Sequence, residues 1–192
     1  MVSSSETKMR PAVAPPEIGS TPRRFDLSPT QGEIRPARET DLLDLEWHGG
    51  ADLRGFYREA WDNHNAGAIT MLVADFNDFP IGLALIYWRG KTNHPHIPDL
   101  QSLRVMPLFR GMGIGSFLLR EVEEQVRASG HEQVSLSVGV DNPRARTLYE
   151  RQEYCSLGES YQFSWHYQNA AGREIQVEET VTDMIKNLKG EN

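Results

Sequence analysis

The sequence predicts an α/β domain of about seven strands and four helices in the order β, α, α, β, β, β, α, β, α, β, β. Three observations predict it. Short apolar runs at 68–74, 82–88 and 100–105 have strand character and are bounded by polar turns. The stretch 114–126 has a helical period: Ile114, Leu118, Val122 and Val126 recur every fourth residue, leaving Arg120, Glu121, Glu123, Glu124 and Arg127 for the opposite side. Further on, Val134, Leu136, Val138 and Val140 alternate, as a strand with one buried face should.

Taken in order, residues 34–38 are expected to form the first strand. A helix over 41–48 follows, with Thr40 as its N-cap, and a second over 52–63. The strands at 68–74 and 82–88 are joined through the polar and aromatic stretch 75–80, which suits a hairpin. After the 100–105 strand and the long helix, Gly130 supplies a stop. Asn142 followed by Pro143 is a helix start, with Asn as cap and Pro in the first helical position, and Ala145, Leu148 and Tyr149 then share one side. Finally, 160–167 and 173–185 flank Asn169-Ala170-Ala171-Gly172 as a second hairpin.

A chain of 192 residues supports one domain with a real core, expected at 33–192. Residues 1–32 are rich in proline and serine with little apolar periodicity, the composition of a disordered arm. No continuous apolar segment reads as a signal peptide or approaches transmembrane length, so cytoplasmic residence without a membrane partner is expected. Net charge is −7, with +1 on the arm and −8 on the remainder, which argues against nucleic acid as a partner. The single Cys155 excludes an intrachain disulfide and offers no metal cluster; it is expected to pack near a strand rather than act as a nucleophile.

The most informative motif is Arg110-Gly111-Met112-Gly113-Ile114-Gly115, lying between the 100–105 strand and the long helix. Glycines at alternate positions let backbone N–H groups converge, and the helix N-terminus adds partial positive charge, so a pyrophosphate could be cradled there by main chain. The competing phosphate motifs fail. A P-loop needs Lys and Ser/Thr after its last glycine, but Gly115 is followed by Ser116 and Phe117. A dinucleotide fingerprint needs its third glycine one position later. The plainer reading is a glycine-rich connecting turn.

With these residues the chain resembles the GNAT superfamily of acyl-CoA-dependent N-acyltransferases. Arg110, Gly113 and Gly115 match its Arg/Gln-x-x-Gly-x-Gly/Ala signature, and Leu103-Arg104-Val105-Met106-Pro107 matches its lead-in strand. Asn142, Ala145, Leu148 and Tyr149 match a later segment, and Met184, Lys186 and Leu188 a common ending. The likeness runs over roughly residues 33–189. One departure is that Glu150-Arg151-Gln152-Glu153-Tyr154 lacks the Gly-Phe that usually follows Leu-Tyr, which leaves that turn without its glycine.

The resemblance implies a central mixed, mostly antiparallel twisted sheet and acetyl-CoA as co-substrate, with no metal. It also implies an amine acceptor and allows a homodimer. It assigns the pantetheine arm to the backbones of Leu103 and Val105 and the pyrophosphate to Arg110, Gly111, Met112, Gly113, Ile114, Gly115 and Ser116, with Asn142 as a further contact. Tyr149 occupies the position of a general acid that protonates the leaving thiolate. Asp99 stands where some members carry the base; His94, His96 or water are the alternatives, and Gln101 cannot serve. The acceptor pocket is expected among Trp47, Phe56, Tyr57, Trp61, Trp88, Tyr161 and Trp165, most of them core, with Glu46 and Asp62 able to draw a cationic amine. The competing class is a noncatalytic acyl-CoA-binding or interaction module on the same fold.

Overall fold

Residues 69–76 and 79–87 read as continuous apolar runs because both faces of the sheet they build are covered. The computed structural model describes residues 23–27 and 30–189. In chain order the elements are β1 Arg23–Leu27, β2 Thr30–Pro36, α1 Asp41–Asp44, α2 Arg54–Asn65, β3 Ile69–Phe76, β4 Phe79–Tyr87, β5 Gly90–Lys91, β6 His94–Pro95 and β7 Asp99–Val105. They continue with α3 Ile114–Ala128, β8 Gln133–Gly139, α4 Pro143–Arg151, β9 Cys155–Ser156, β10 Tyr161–Gln168 and β11 Glu174–Asn187.

The main sheet runs β1-β2-β3-β4-β7-β8-β11-β10, with β9 also on β11, and every pairing is antiparallel except β7 with β8. This is the mixed, mostly antiparallel sheet with four helices that the sequence predicted. Alternate residues of β3 face opposite layers. Leu72 and Ala74 pack with Leu118, Leu119, Val122 and Val126 of α3, whereas Met71 and Val73 pack with Leu45, Tyr57 and Ala60 on the other side. Each fully buried Leu or Val in these layers contributes roughly 1.5–3 kcal/mol.

Several boundaries differ from expectation, each for a physical reason. The first helix lasts one turn and continues as a 3-10 segment, Leu45–Trp47, before Gly49 and Gly50 take left-handed φ values of 79° and 62°. Thr40 does not cap it: its backbone is helical, and no side-chain bond forms. Instead Asp41, 2% exposed, accepts from Arg38 N and holds Arg35 at 2.8 Å. Asp75 grips the other side of Arg35, so one buried guanidinium ties β2, α1 and β3 together. A strand at 23–27 pairs with β2, so the sheet reaches ahead of the expected boundary at residue 33. Residues 1–22 and 28–29 of the expected arm lie outside the described residues.

The turn that lacks the usual glycine is made by Glu153, which takes a left-handed φ of 66° itself. Tyr154 N still closes onto Tyr149 O at 3.0 Å, so α4 ends as it would with glycine there.

Candidate functional site

The parallel strands β7 and β8 pair only at Asp99–Ser135 and Leu100–Leu136. Beyond Leu100 they part. Ser102 has a left-handed φ of 54°, and the pairing of β7 with β4 slips between Leu83 and Leu85, a bulge that bends β7 away from β8. The result is a cleft of about 320 Å³ through the middle of the sheet, lined on one side by Gln101, Leu103 and Arg104 and on the other by Val138 and Gly139.

The glycine turn lies immediately past the end of β7. Gly111 and Gly113 have φ of 87° and 85°, a region L side chains rarely adopt, and Gly113 is the N-cap of α3. Among the described residues the amide N–H groups from Gly111 to Ser116 find no acceptor; the first internal bond of the helix is Phe117 N to Gly113 O at 3.1 Å. Six consecutive free donors at the start of a 15-residue helix form a strong anion cradle. Arg110 braces it, donating from Nε to Val105 O at 2.9 Å and leaving its terminal nitrogens free. Gly115 packs beside Leu148, whose Cδ2 a Cβ there would meet at 3.4 Å, an ordinary van der Waals distance.

Opposite the cradle, Asn142 accepts from Ala145 N at 3.1 Å and caps α4, as its place before Pro143 predicted. It lines the cleft together with Ala145 and Tyr149. Tyr149 is 7% exposed, and burial pushes its phenol up to about 12, against a smaller opposing pull from Arg104. Its hydroxyl has no hydrogen-bond partner among the described residues.

Asp99 borders the cleft but presents no surface to it, being 0% exposed. Ser135 Oγ donates to it at 2.8 Å, Gln101 Nε2 at 2.9 Å, and Lys91 Nζ lies 3.1 Å away. Burial raises its carboxyl from the ordinary range, with Lys91 the strongest of the opposing partners. Lys91 also reaches Asp183 at 2.9 Å, and Asp183 is held in turn by Asn93, His94, Tyr161 and Ser137. Burial works against the charge of Lys91, yet Asp99 and Asp183 outweigh it and raise its pKa. Burial likewise disfavours the Asp183 carboxylate, but hydrogen bonds from Ser137 and Lys91 bring it down to about 2.

Residues 37–154 match the family model described as acetyltransferase (GNAT) family. This chain belongs to the GNAT acetyltransferase family. It is 33% identical over 75 residues to the aminoalkylphosphonate N-acetyltransferase of Salmonella typhimurium, a stretch covering 38% of this chain and 49% of that enzyme. The chain matches about half or less of the length of such curated relatives. Among solved structures, an N-acetyltransferase from Staphylococcus aureus Mu50 superposes with TM-score 0.63 at 14% identity, over 82% of this chain and 99% of that one. The structure of yncA from Salmonella typhimurium with its cofactor acetyl-CoA gives 0.60 at 17% identity, over 83% and 95%. At these identities the structural matches show the GNAT fold.

On this GNAT frame the aromatic residues divide. Of the seven expected around an acceptor pocket, Phe56 and Trp165 line the cleft, joined by Tyr87 and Phe163, which the sequence did not single out. The others are engaged elsewhere. Trp47 Nε1 donates to Pro80 O at 2.6 Å, Trp88 Nε1 to Thr70 Oγ1 at 3.1 Å, Tyr161 to Asp183, and Trp61 lies against His64. The carboxylates on the cleft wall besides Asp99 are Glu59 and Glu179, whereas Glu46 is paired with Arg54. His94 is committed to Asp183, and His96 sits exposed at a left-handed turn position. Cys155 is exposed on β9, not packed as expected, because β9 is a two-residue strand at the outer side of Met184 and Ile185 of β11. No cluster of metal-ligating side chains occurs among the described residues.

Proposed function

We propose that this GNAT protein transfers an acetyl group from acetyl-CoA to a primary amine by direct attack, with no covalent enzyme intermediate. The observations that carry this reading are the gap between β7 and β8, which opens past Leu100, and the six unbonded N–H groups of the turn that follows β7. A long, thin ligand with a diphosphate at one end fits that shape and that donor set. The family reading supports acetyl-CoA as this ligand. In this proposal the N–H groups of Gly111 to Ser116 and the free end of Arg110 hold the pyrophosphate. The Leu103 and Val105 backbones line the pantetheine, and Asn142 flanks it.

The amine nitrogen attacks the thioester carbonyl, the carbon–sulfur bond breaks, and the ammonium proton must leave. An alkylamine of pKa ~10.4 is only about 0.1% neutral at pH 7, so a proton acceptor raises the rate. Asp99 is enclosed by Gln101, Ser135 and Lys91, so a proton reaches it through ordered water rather than by direct contact with the amine. Tyr149 donates a hydrogen bond to the departing sulfur. With its phenol at about 12, complete transfer to a thiolate of ordinary pKa ~8.5 is uphill. The gain therefore lies in stabilising the developing negative charge in the transition state. The cytoplasmic assignment rests on the sequence alone.

Acetyl-CoA at a hundred times its dissociation constant is expected to stabilise the fold by about 2.7 kcal/mol, raising the melting temperature by roughly 5–10 °C. No shift up to millimolar ligand would remove both the enzyme and the noncatalytic acyl-CoA-binding readings. Gly113→Val is expected to weaken acetyl-CoA at least about tenfold, measured by calorimetry. Its φ of 85° costs a β-branched residue about 1–3 kcal/mol and turns the donor row aside, while Phe117 at 3.8 Å leaves room for the side chain itself. Unaltered affinity in a folded Gly113→Val protein would mean that the cradle is elsewhere.

A further inference from the structure

Two cationic side chains line the cleft, and only one of them is neutralised. Lys91 lies against Asp99 and Asp183. Arg104 has no carboxylate partner among the described residues, although the chain carries 27 acidic residues against 20 Lys and Arg. Arg104 is exposed, so its guanidinium is open to solvent and to a ligand in the cleft.

Its surroundings favour an anionic ligand. Arg104 follows the bulge at Ser102 and Leu103, in register with Leu83, on the strand segment that has left β8. Its charge is felt by three groups from three elements: Tyr57 on α2, Tyr149 on α4, and His48 in the turn before α2. His48 does not compete as a cation, because burial, then Arg104 and Arg110, push it down to about 4. The Tyr57 hydroxyl donates its single proton to His48 O at 3.1 Å, so at the 3.0 Å contact His48 Nδ1 must be the donor. His48 and Tyr57 thus form a neutral, mutually bonded pair, and the exposed Arg104 has no counter-ion among the described residues. The unpaired acid Glu59 acts on Tyr87, whose strand partner is Asp99, so it belongs to the opposite end of the β4–β7 pairing from Leu83 and Arg104. The other acid on the cleft wall, Glu179, accepts from Trp165 Nε1 at 3.4 Å and lies on β11 two residues from Val181, the partner of Gly139, so carboxylates flank the cleft toward both ends.

We propose that the amine acceptor carries an anionic group, a carboxylate or phosphate, and that Arg104 binds this group as the specificity residue of the acceptor side. The proposal rests on the N-acetyltransferase reading above. A planar guanidinium matches either anion through paired N–H donors. The wall carboxylates Glu59 and Glu179 draw the ammonium of the same molecule, so a zwitterionic acceptor complements the cleft better than a simple amine or a diamine.

The test measures thiol release at saturating acetyl-CoA with β-alanine against propylamine, O-phosphoethanolamine against ethanolamine, and 1,3-diaminopropane. The wild-type protein, Arg104→Met and Arg104→Lys are compared, and acetyl-CoA affinity is measured separately by calorimetry. The anion-bearing member of at least one pair is expected to be favoured about tenfold to a hundredfold in kcat/KM, the range of a charge-assisted hydrogen bond. Arg104→Met should erase that preference through KM with acetyl-CoA affinity intact, and Arg104→Lys should recover part of it. Preference for the uncharged amines or the diamine overturns the proposal, as does discrimination that survives Arg104→Met. Turnover of none of the panel by a protein that binds acetyl-CoA overturns it too. Weakened acetyl-CoA binding with unchanged acceptor KM would assign Arg104 to a cofactor phosphate instead. Failure of the wild-type protein to bind acetyl-CoA is a different result, which removes the underlying reading.

Discussion

Tyr149→Phe is expected to lower kcat by about 10²–10³-fold, the cost of removing one preorganised donor to a developing anion. The substitution keeps the ring, which is buried and lies 6.0 Å from the ring of Tyr154, so the fold and acetyl-CoA affinity should be retained. The hydroxyl lost has no partner among the described residues, so no buried acceptor is orphaned by its removal. The pH profile gives a second check. Burial raises the phenol to about 12, so Tyr149 remains protonated through the range in which turnover is measured. The rate should therefore rise with pH as the amine becomes neutral, and loss of the phenol proton should impose no alkaline fall below about pH 11. Single-turnover thiol release, with acetyl-CoA affinity measured in parallel, decides the matter. Unchanged kcat in Tyr149→Phe would leave the residue a packing role only.

What the sequence revealed was the part of the molecule encoded locally. The α3 stripe, the Asn142-Pro143 helix start and the glycines at 111 and 113 each express their structure within a few residues, and each formed where expected. The splay between β7 and β8 is different in kind. It depends on a bulge at Ser102 and on where two distant strands stop pairing, for which an isolated strand pattern contains no signal. The charged networks are more remote still. Arg35 finds Asp75 40 residues away, and Lys91 finds Asp183 at a separation of 92, so no window of sequence contains both partners. This is also why the sequence could place Asp99 at a family base position without revealing the partners that enclose it. The strand at 23–27 was hidden by the proline-rich composition around it, and the Glu153 turn by the absence of the glycine that would have marked it.

Lys91→Met is expected to destabilise the protein by about 3–5 kcal/mol, because it removes one cation from between two buried carboxylates. Lys91 is 12% exposed, Asp99 0% and Asp183 5%, so water replaces little of what is lost. For a domain of this size the melting temperature should fall by roughly 6–20 °C. The sign of the pH dependence identifies the cause. Asp99 already has a folded-state pKa above its ordinary value, so its proton is bound more tightly in the folded than in the unfolded chain. A group raised in this way contributes stability below its unfolded value and loses it as pH rises through the folded value. Without Lys91, Asp99 is raised further, so the deficit of Lys91→Met should be greatest near pH 8 and shrink toward pH 5. Asp183 has the opposite sign: with its carboxyl at about 2, it contributes stability above about pH 4 that is lost toward pH 2. Because Asp183 keeps Ser137, Asn93, His94 and Tyr161, most of the neutral-pH penalty should come from Asp99. The double variant Lys91→Met/Asp99→Asn should then recover a substantial part of the loss at pH 8. Denaturant midpoints at pH 5, 6.5 and 8 for the wild type, the single variant and the double variant would show this. A deficit independent of pH and unrelieved by Asp99→Asn would mean that Lys91 stabilises the protein by packing its stem rather than by neutralising the buried carboxylate beside the cleft.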